Sequence, residues 1–456
     1  MLPLVLRLAI PSMLAQFVNV LYSIVDRIYI SNIPEYGDLA LAGVGVCGPV
    51  VTLITSFSFL FGLGGAPLMA MKLGEGNRDT AEKILSDCFW TLGVFSVAVT
   101  VFFLCVKNPM LHLFGASDKS FVYANDYLTI YILGSIFALL SLGLNNFITC
   151  QGFSKIGMMT VLLGAVVNIA LDPLFIFVFG LGVKGAAIAT VIAQFCSCVW
   201  VVVFLIGKRT HVRIRLRKPE WRFVSRVMRN GLSPFVIVFT DSLLIIVFNA
   251  VLQRYGGEAQ GDLLLAAATV VISFMQIITM PMSGITGGCS PILSFNYGAR
   301  NRTRVKQGFY GMLILCLIFT GIMTIFAQAI PHLFVAIFTN RQDVAEIAVW
   351  GIRVYTSMIF FLSVQYACVD SMTALNVPKV AVTLSLMRKI VVMLTCTLVL
   401  PMFFGWKGAF FAEPIADFCS CFISGITFAL LINRILNQRS SSVAEEKNEE
   451  EKRGTN

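Results

Sequence analysis

Acidic and amide residues are rare in this chain, and several lie deep inside apolar runs, where they need a reason. A carboxylate at the centre of a bilayer costs ~2.5–3.5 kcal/mol on insertion scales. Asn168 and Asp172 are four positions apart, so a helix puts them on one face. Pro173 follows directly; it removes a backbone donor and frees a carbonyl nearby. Oxygen ligands beside a distorted helix can bind Na+ or hold a proton. Asp26 lies about 18 residues into its apolar run, Asp172 about 16 into another, and Thr190 about 7 into the next, which runs the opposite way. At 1.5 Å per residue the three depths agree, so Asp26, Asn168, Asp172 and Thr190 are expected to form one cluster. The plainer alternative is that Asp26 pairs with a neighbouring cation and Asp172 caps a kink.

The elements that must position these residues are membrane-spanning helices. Of 456 residues, 57% are apolar and 13% charged, with mean hydropathy +0.84, where a soluble globule carries about 25% charged residues. Apolar runs repeatedly reach ~20 residues, enough to cross ~30 Å of hydrocarbon as a helix. They lack the alternation of a transmembrane barrel strand. Twelve spans are expected, near 8–31, 39–65, 81–106, 121–150, 156–180, 183–207, 223–254, 263–289, 305–331, 344–375, 380–403 and 407–436. The class is therefore an all-α polytopic membrane protein.

The net charge of +10 does not indicate a nucleic-acid partner, because Lys and Arg sit in alternate short loops. The loop 208–229 holds nine Lys/Arg against one Glu. Both termini are expected on the cytoplasmic side of the plasma membrane, with no cleavable signal at the start. Residues 437–456 are charge-rich and are expected to form a disordered tail. The 12 Cys lie mostly in apolar segments and read as small apolar residues.

The chain repeats itself at an offset of 223–224 residues. KGAAIATVIAQFCSC from Lys184 matches KGAFFAEPIADFCSC from Lys407, and GDLALAGVGV from Gly37 matches GDLLLAAATV from Gly261. Gly74, Asn77 and Arg78 match Gly298, Asn301 and Arg302. Two six-span lobes in the same orientation follow, 1–207 and 223–436, joined by a basic linker at 208–222. Such lobes around a cleft suit a transporter working by alternating access.

The repeat is not chemically symmetric. Asp26 aligns with Asn249, whereas the second half has its own Asp241, Asp370, Glu413 and Asp417. Tyr366 and Asp370 share a face, four apart. The plain reading is that these acids pair with Arg353, Arg388 or Lys389. Met275, Met280 and Met282 are candidates for an adaptable cleft wall, since Met surfaces suit varied ligands.

Together these motifs resemble the multidrug and toxic compound extrusion (MATE) family, in the branch of bacterial multidrug exporters. The likeness rests on Ala9-Ile10-Pro11, Asp26 in VDRIYIS, GEGNRDTAEK from Gly74, Asn168-x-x-x-Asp172-Pro173, and MPMSGITGGCSPILSFNYGARN from Met280. It implies a cation site at Asp26, Asn168, Asp172 and Thr190 in the first lobe. It also implies cation or substrate binding by Asp241, Tyr366 and Asp370, with Glu413 as a further candidate in the second. The implied activity is export of small organic, often cationic, compounds in exchange for H+ or Na+, with no other cofactor, from a chain able to act as a monomer among membrane lipids.

Other classes fit less well. A flippase for lipid-linked precursors would call for extra spans and a strongly cationic cavity. A membrane enzyme would need a ligand or nucleophile cluster, and the three His have no metal spacing. No G-x-x-x-x-G-K-[ST] loop is present, so ATP is not the direct energy source.

Overall fold

The computed structural model describes residues 1–31, 33–34, 37–113, 118–215, 220–338 and 341–454. Among these, eleven helices are long and apolar enough to cross a membrane. They are α1 (Leu2–Ile30), α2 (Gly43–Gly74), α3 (Arg78–Leu111), α4 (Phe121–Cys150), α5 (Ser154–Val178), α6 (Gly182–Ile206), α7 (Phe223–Gly257), α8 (Leu263–Gly298), α9 (Arg302–Ala329), α11 (Pro378–Phe404) and α12 (Trp406–Asn437). Between α9 and α11 lies α10, a pair of helices, Gln342–Tyr355 and Ile359–Ala374, bent by 53°. Counted as one span, it makes twelve. The helical backbone of α12 continues to Gly454, through the stretch where composition leads to the expectation of a disordered tail.

Several helices outrun their apolar stretches. α2 continues past Gly64, Gly65 and Pro67 to Gly74, and α8 past Gly287, Gly288 and Pro291 to Gly298. Small residues and proline there signal a stop in sequence, but neighbouring helices pack against that stretch and keep it wound. Stripes such as Ile318, Ile322 and Ile325 on α9, or Val94, Val97 and Val101 on α3, stay exposed at helical spacing, as lipid-facing positions do.

The turns repeat as faithfully as the helices. Gly76 (φ 79°) and Arg300 (φ 60°) occupy the left-handed region at equivalent places. The next residue caps a helix in each case. Asn77 accepts a hydrogen bond from the Thr80 amide at 3.0 Å, and Asn301 accepts one from Arg304 at 3.1 Å. In α10 the bend frees backbone groups, and Gln328 from α9 donates to the Arg353 carbonyl at 2.8 Å.

Buried apolar side chains form two large clusters. One is drawn mainly from α2–α6 and the other mainly from α7–α12. They meet at the end of the bundle that carries the basic loops. There Val5, Leu8 and Ala9 of α1 join the second cluster, and Val224 and Val227 of α7 join the first. The contact is backbone to backbone and obeys the repeat. A Cβ on Gly74 would lie 2.8 Å from the Phe295 carbonyl carbon, and one on Gly298 would lie 2.8 Å from that of Met71. Likewise Gly64 packs on Gly231, and its equivalent Gly288 packs on Leu8, with a Cβ again 2.7 Å from backbone in each case. Glycine at these positions lets helices approach closer than any other residue allows.

Candidate functional site

The first half of the chain brings its expected residues together. Asn168 and Asp172 are on α5, just before the Pro173 break, where the helix widens into a π turn over Leu174–Val178. The loss of one donor at Pro173 is the local cause of that irregularity. Asn168 Nδ2 donates to Asp172 Oδ1 at 3.1 Å and reaches Thr190 Oγ1 of α6 at 3.5 Å. Thr190 in turn donates to the Ala186 carbonyl at 3.0 Å. Asp26 of α1 comes within hydrogen-bonding range of Asp172. Asn168, Asp172 and Thr190 are buried.

Tyrosines complete the enclosure. Tyr22 lies one turn before Asp26 and close to Asp172. Tyr127 and Tyr131 of α4 stack at 6.3 Å; the first reaches Thr190, and the second reaches Gln194 of α6. These four residues were missed in sequence, although the i, i+4 rule that pairs Asn168 with Asp172 also pairs Tyr22 with Asp26 and Thr190 with Gln194. Four buried oxygens here, on Asp26, Asn168, Asp172 and Gln194, have no hydrogen-bond donor among the described residues. No ion pair among the described residues reaches Asp26 or Asp172.

The second half places its acids differently. Arg388 and Lys389 lie in a π-helical stretch of α11, Met387–Leu394, and both are buried. Arg388 donates to Glu413 at 2.5 Å and to Asp417 at 2.7 and 3.2 Å. Lys389 pairs with Asp241 of α7 and donates to the Ile237 carbonyl at 2.8 Å. Asp241 and Glu413, expected as cation or substrate ligands, are thus each matched with a resident cation. Arg353, the third candidate partner, is exposed. Asp370 is in hydrogen-bonding range of Thr286, and Tyr366 lies in the field of Asp241, Arg388 and Asp370. Of the three methionines expected at the cleft, Met280 is exposed, while Met275 and Met282 are packed in the second apolar cluster.

The repeat makes the contrast pointed. Thr190 and Gln194 are equivalent to Glu413 and Asp417 at an offset of 223, and Gly164 and Ala165 to Arg388 and Lys389 at 224. The second half carries two acids on α12 where the first has neutral residues, and two bases on α11, of which Arg388 meets both acids and Lys389 meets Asp241 of α7. Among the described residues no group of three His, Cys, Asp or Glu converges as a metal-binding set.

The chain resembles known proteins along nearly its whole length. Multidrug export protein MepA of Staphylococcus aureus is 22% identical over 445 residues, covering 96% of each chain. The MepA protein of Staphylococcus haemolyticus is 22% identical over 441 residues, covering 96% of this chain and 95% of that one. Among solved structures, an outward-facing MATE family transporter of the MOP superfamily superposes with TM-score 0.88 at 20% identity, covering 95% of this chain and 96% of that one. A MOP superfamily transporter from Pyrococcus furiosus does so with TM-score 0.89, at the same identity and coverage. The MatE family model matches twice, at residues 11–174 and again at 236–398, once in each half of the repeat. The fold is therefore that of a membrane transporter and not an enzyme, and the chain belongs to the MATE family.

Proposed function

We propose that the protein is a secondary active antiporter of the plasma membrane that exports small organic compounds, organic cations among them, in exchange for H+ or Na+. The observation that carries the reading is the facing pair Asp26 and Asp172, enclosed with Asn168 and Thr190 and in no ion pair among the described residues. Two carboxylates at that separation do not stay ionised together without a proton or metal cation between them. A site that must take up a cation to close is a coupling site. The relatives named as multidrug export proteins support the direction and the substrate class.

The steps follow from charge and packing. Residues 1–207 and 223–436 act as lobes joined by the linker 208–222, with the tail 437–456 beyond them. The basic loops and both termini face the cytoplasm, by the positive-inside rule. The glycine contacts then close the cytoplasmic end and leave the cleft open outward. A proton or Na+ entering from outside offsets one of the two charges on Asp26 and Asp172, relieves their repulsion and lets α1, α5 and α6 draw together. That movement shifts the lobes and weakens the hold on a cationic substrate. The reverse swing, with the cation released inside, exposes the cleft to new substrate from the cytoplasm or inner leaflet. One chain holds both lobes, so a monomer suffices.

The reading is tested by extrusion of a fluorescent lipophilic cation from preloaded cells expressing the protein, against cells with an empty vector. Faster loss of dye that stops when the ion gradient is collapsed is expected. Equal loss from both cell lines would remove organic-cation export as the function.

A further inference from the structure

Lys389 is enclosed among the helices of the second half, only 5% exposed, yet its partner Asp241 is open, with 52% of its side chain exposed. The direction of that exposure follows from α7 itself. Phe239 and Leu243, both exposed, lie two positions either side of Asp241, hence about 200° around the helix from it. Both are large and apolar, as lipid-facing positions are. An exposed carboxylate within a span, on the face opposite these residues, belongs toward the bundle interior or a water-filled cavity, where a charge is tolerated. The ammonium approaches Asp241 from behind and is fixed by the Ile237 carbonyl at 2.8 Å. Arg388 cannot take its place, because its guanidinium is already held by Glu413 and Asp417.

We propose that Lys389 sets the substrate selectivity of this wall of the cleft, as a built-in counter-cation that cancels the charge of Asp241 while leaving the carboxylate's open edge to accept hydrogen bonds. The proposal rests on the export reading above and adds a ligand class to it. A neutralised carboxylate is a good acceptor for N–H groups and a poor trap for charge alone. The wall therefore fits protonated amines and discriminates against quaternary or phosphonium cations, which have no N–H to donate. It also lets go readily, since a fully ionised carboxylate in a low-dielectric cleft would hold any cation more tightly.

The test is equilibrium binding of two fluorescent or radiolabelled probes to the purified full chain: dansylcadaverine, a primary amine, and tetraphenylphosphonium, which has no N–H. Wild type is expected to prefer the amine. Lys389→Met is expected to raise tetraphenylphosphonium affinity by about tenfold and to shrink that preference. Lys389→Arg should keep the wild-type ratio, and Asp241→Asn/Lys389→Met should lose the gain. Thermal melting of each variant guards against misfolding. If Lys389→Met fails to fold, Lys389→Gln, which keeps a donor toward the Ile237 carbonyl, carries the same test: tetraphenylphosphonium affinity should rise and the preference for the amine should shrink. An unchanged tetraphenylphosphonium affinity in folded Lys389→Met, or a gain that survives in the double variant, overturns the selectivity role alone. Failure of wild type to bind either probe overturns this proposal, and the export reading falls with it only where cells expressing the protein also lose dye no faster than cells with an empty vector.

Discussion

The two halves of this chain are built on one plan and neutralise their buried acids by opposite means. In the first half, Asp26 and Asp172 face each other across α1 and α5 among Asn168, Thr190, Gln194 and tyrosines, with the exposed Arg27 acting on Asp26 through its field and not as an ion-pair partner. In the second, Glu413 and Asp417 close on Arg388, and Asp241 on Lys389. Arg388 offsets one of the two charges on Glu413 and Asp417, whereas the facing Asp26 and Asp172 form no ion pair among the described residues. On the proposed function the asymmetry divides the labour, with ion coupling in the first half and structure plus substrate selection in the second.

The largest effect expected from breaking this comparison is at Arg388. Arg388→Met strands two buried carboxylates and should destabilise the protein by about 3–5 kcal/mol, read as a lowered melting temperature or lost folded yield. Adding Glu413→Gln and Asp417→Asn to that variant should recover most of the loss, because the acids no longer need a partner. The same kind of change in the first half should do the reverse. Asp172→Asn removes a like-charge contact, so stability is expected to hold or rise while ion-driven transport falls by an order of magnitude or more, measured by dye efflux at matched surface expression.

A milder break tests the shared plan. Gly74→Val and Gly298→Val each push a side chain into backbone at equivalent contacts. Both should prevent closure of that end of the bundle, raise the labelling of cysteines placed beside it, and do so to similar degrees. Unequal effects would show that the two contacts are not one gate. The smallest effect is at Arg353. It is exposed and outside both charge clusters, so Arg353→Ala should stay within about 0.5 kcal/mol of wild type in melting experiments.

Much of this was legible in the sequence, and what was hidden has physical causes. The cluster of Asp26, Asn168, Asp172 and Thr190 could be read because carboxylates in apolar runs are conspicuous and helical rise converts position into depth. Tyr22, Tyr127, Tyr131 and Gln194 were not read, because a tyrosine inside an apolar run looks like packing until its hydroxyl has a partner. The pairing of Glu413 and Asp241 with Arg388 and Lys389 appeared in sequence only as one of two alternatives. Spacing along separate helices does not say which faces meet, and the π-helical stretch of α11 turns its residues away from ideal α positions. The long ends of α2 and α8 were hidden for a related reason, since Gly and Pro read as stops unless another helix packs on them.

The central claim, that coupling resides at Asp26 and Asp172, is tested most directly in proteoliposomes holding wild type or Asp172→Asn. Two fluxes are compared: accumulation of a labelled organic cation driven by an imposed H+ or Na+ gradient, and exchange of labelled for unlabelled substrate without a gradient. The account predicts that Asp172→Asn keeps the exchange and loses the driven accumulation. Gradient-driven accumulation at the wild-type level in Asp172→Asn would contradict it and move the coupling ion to the second half, at Asp370.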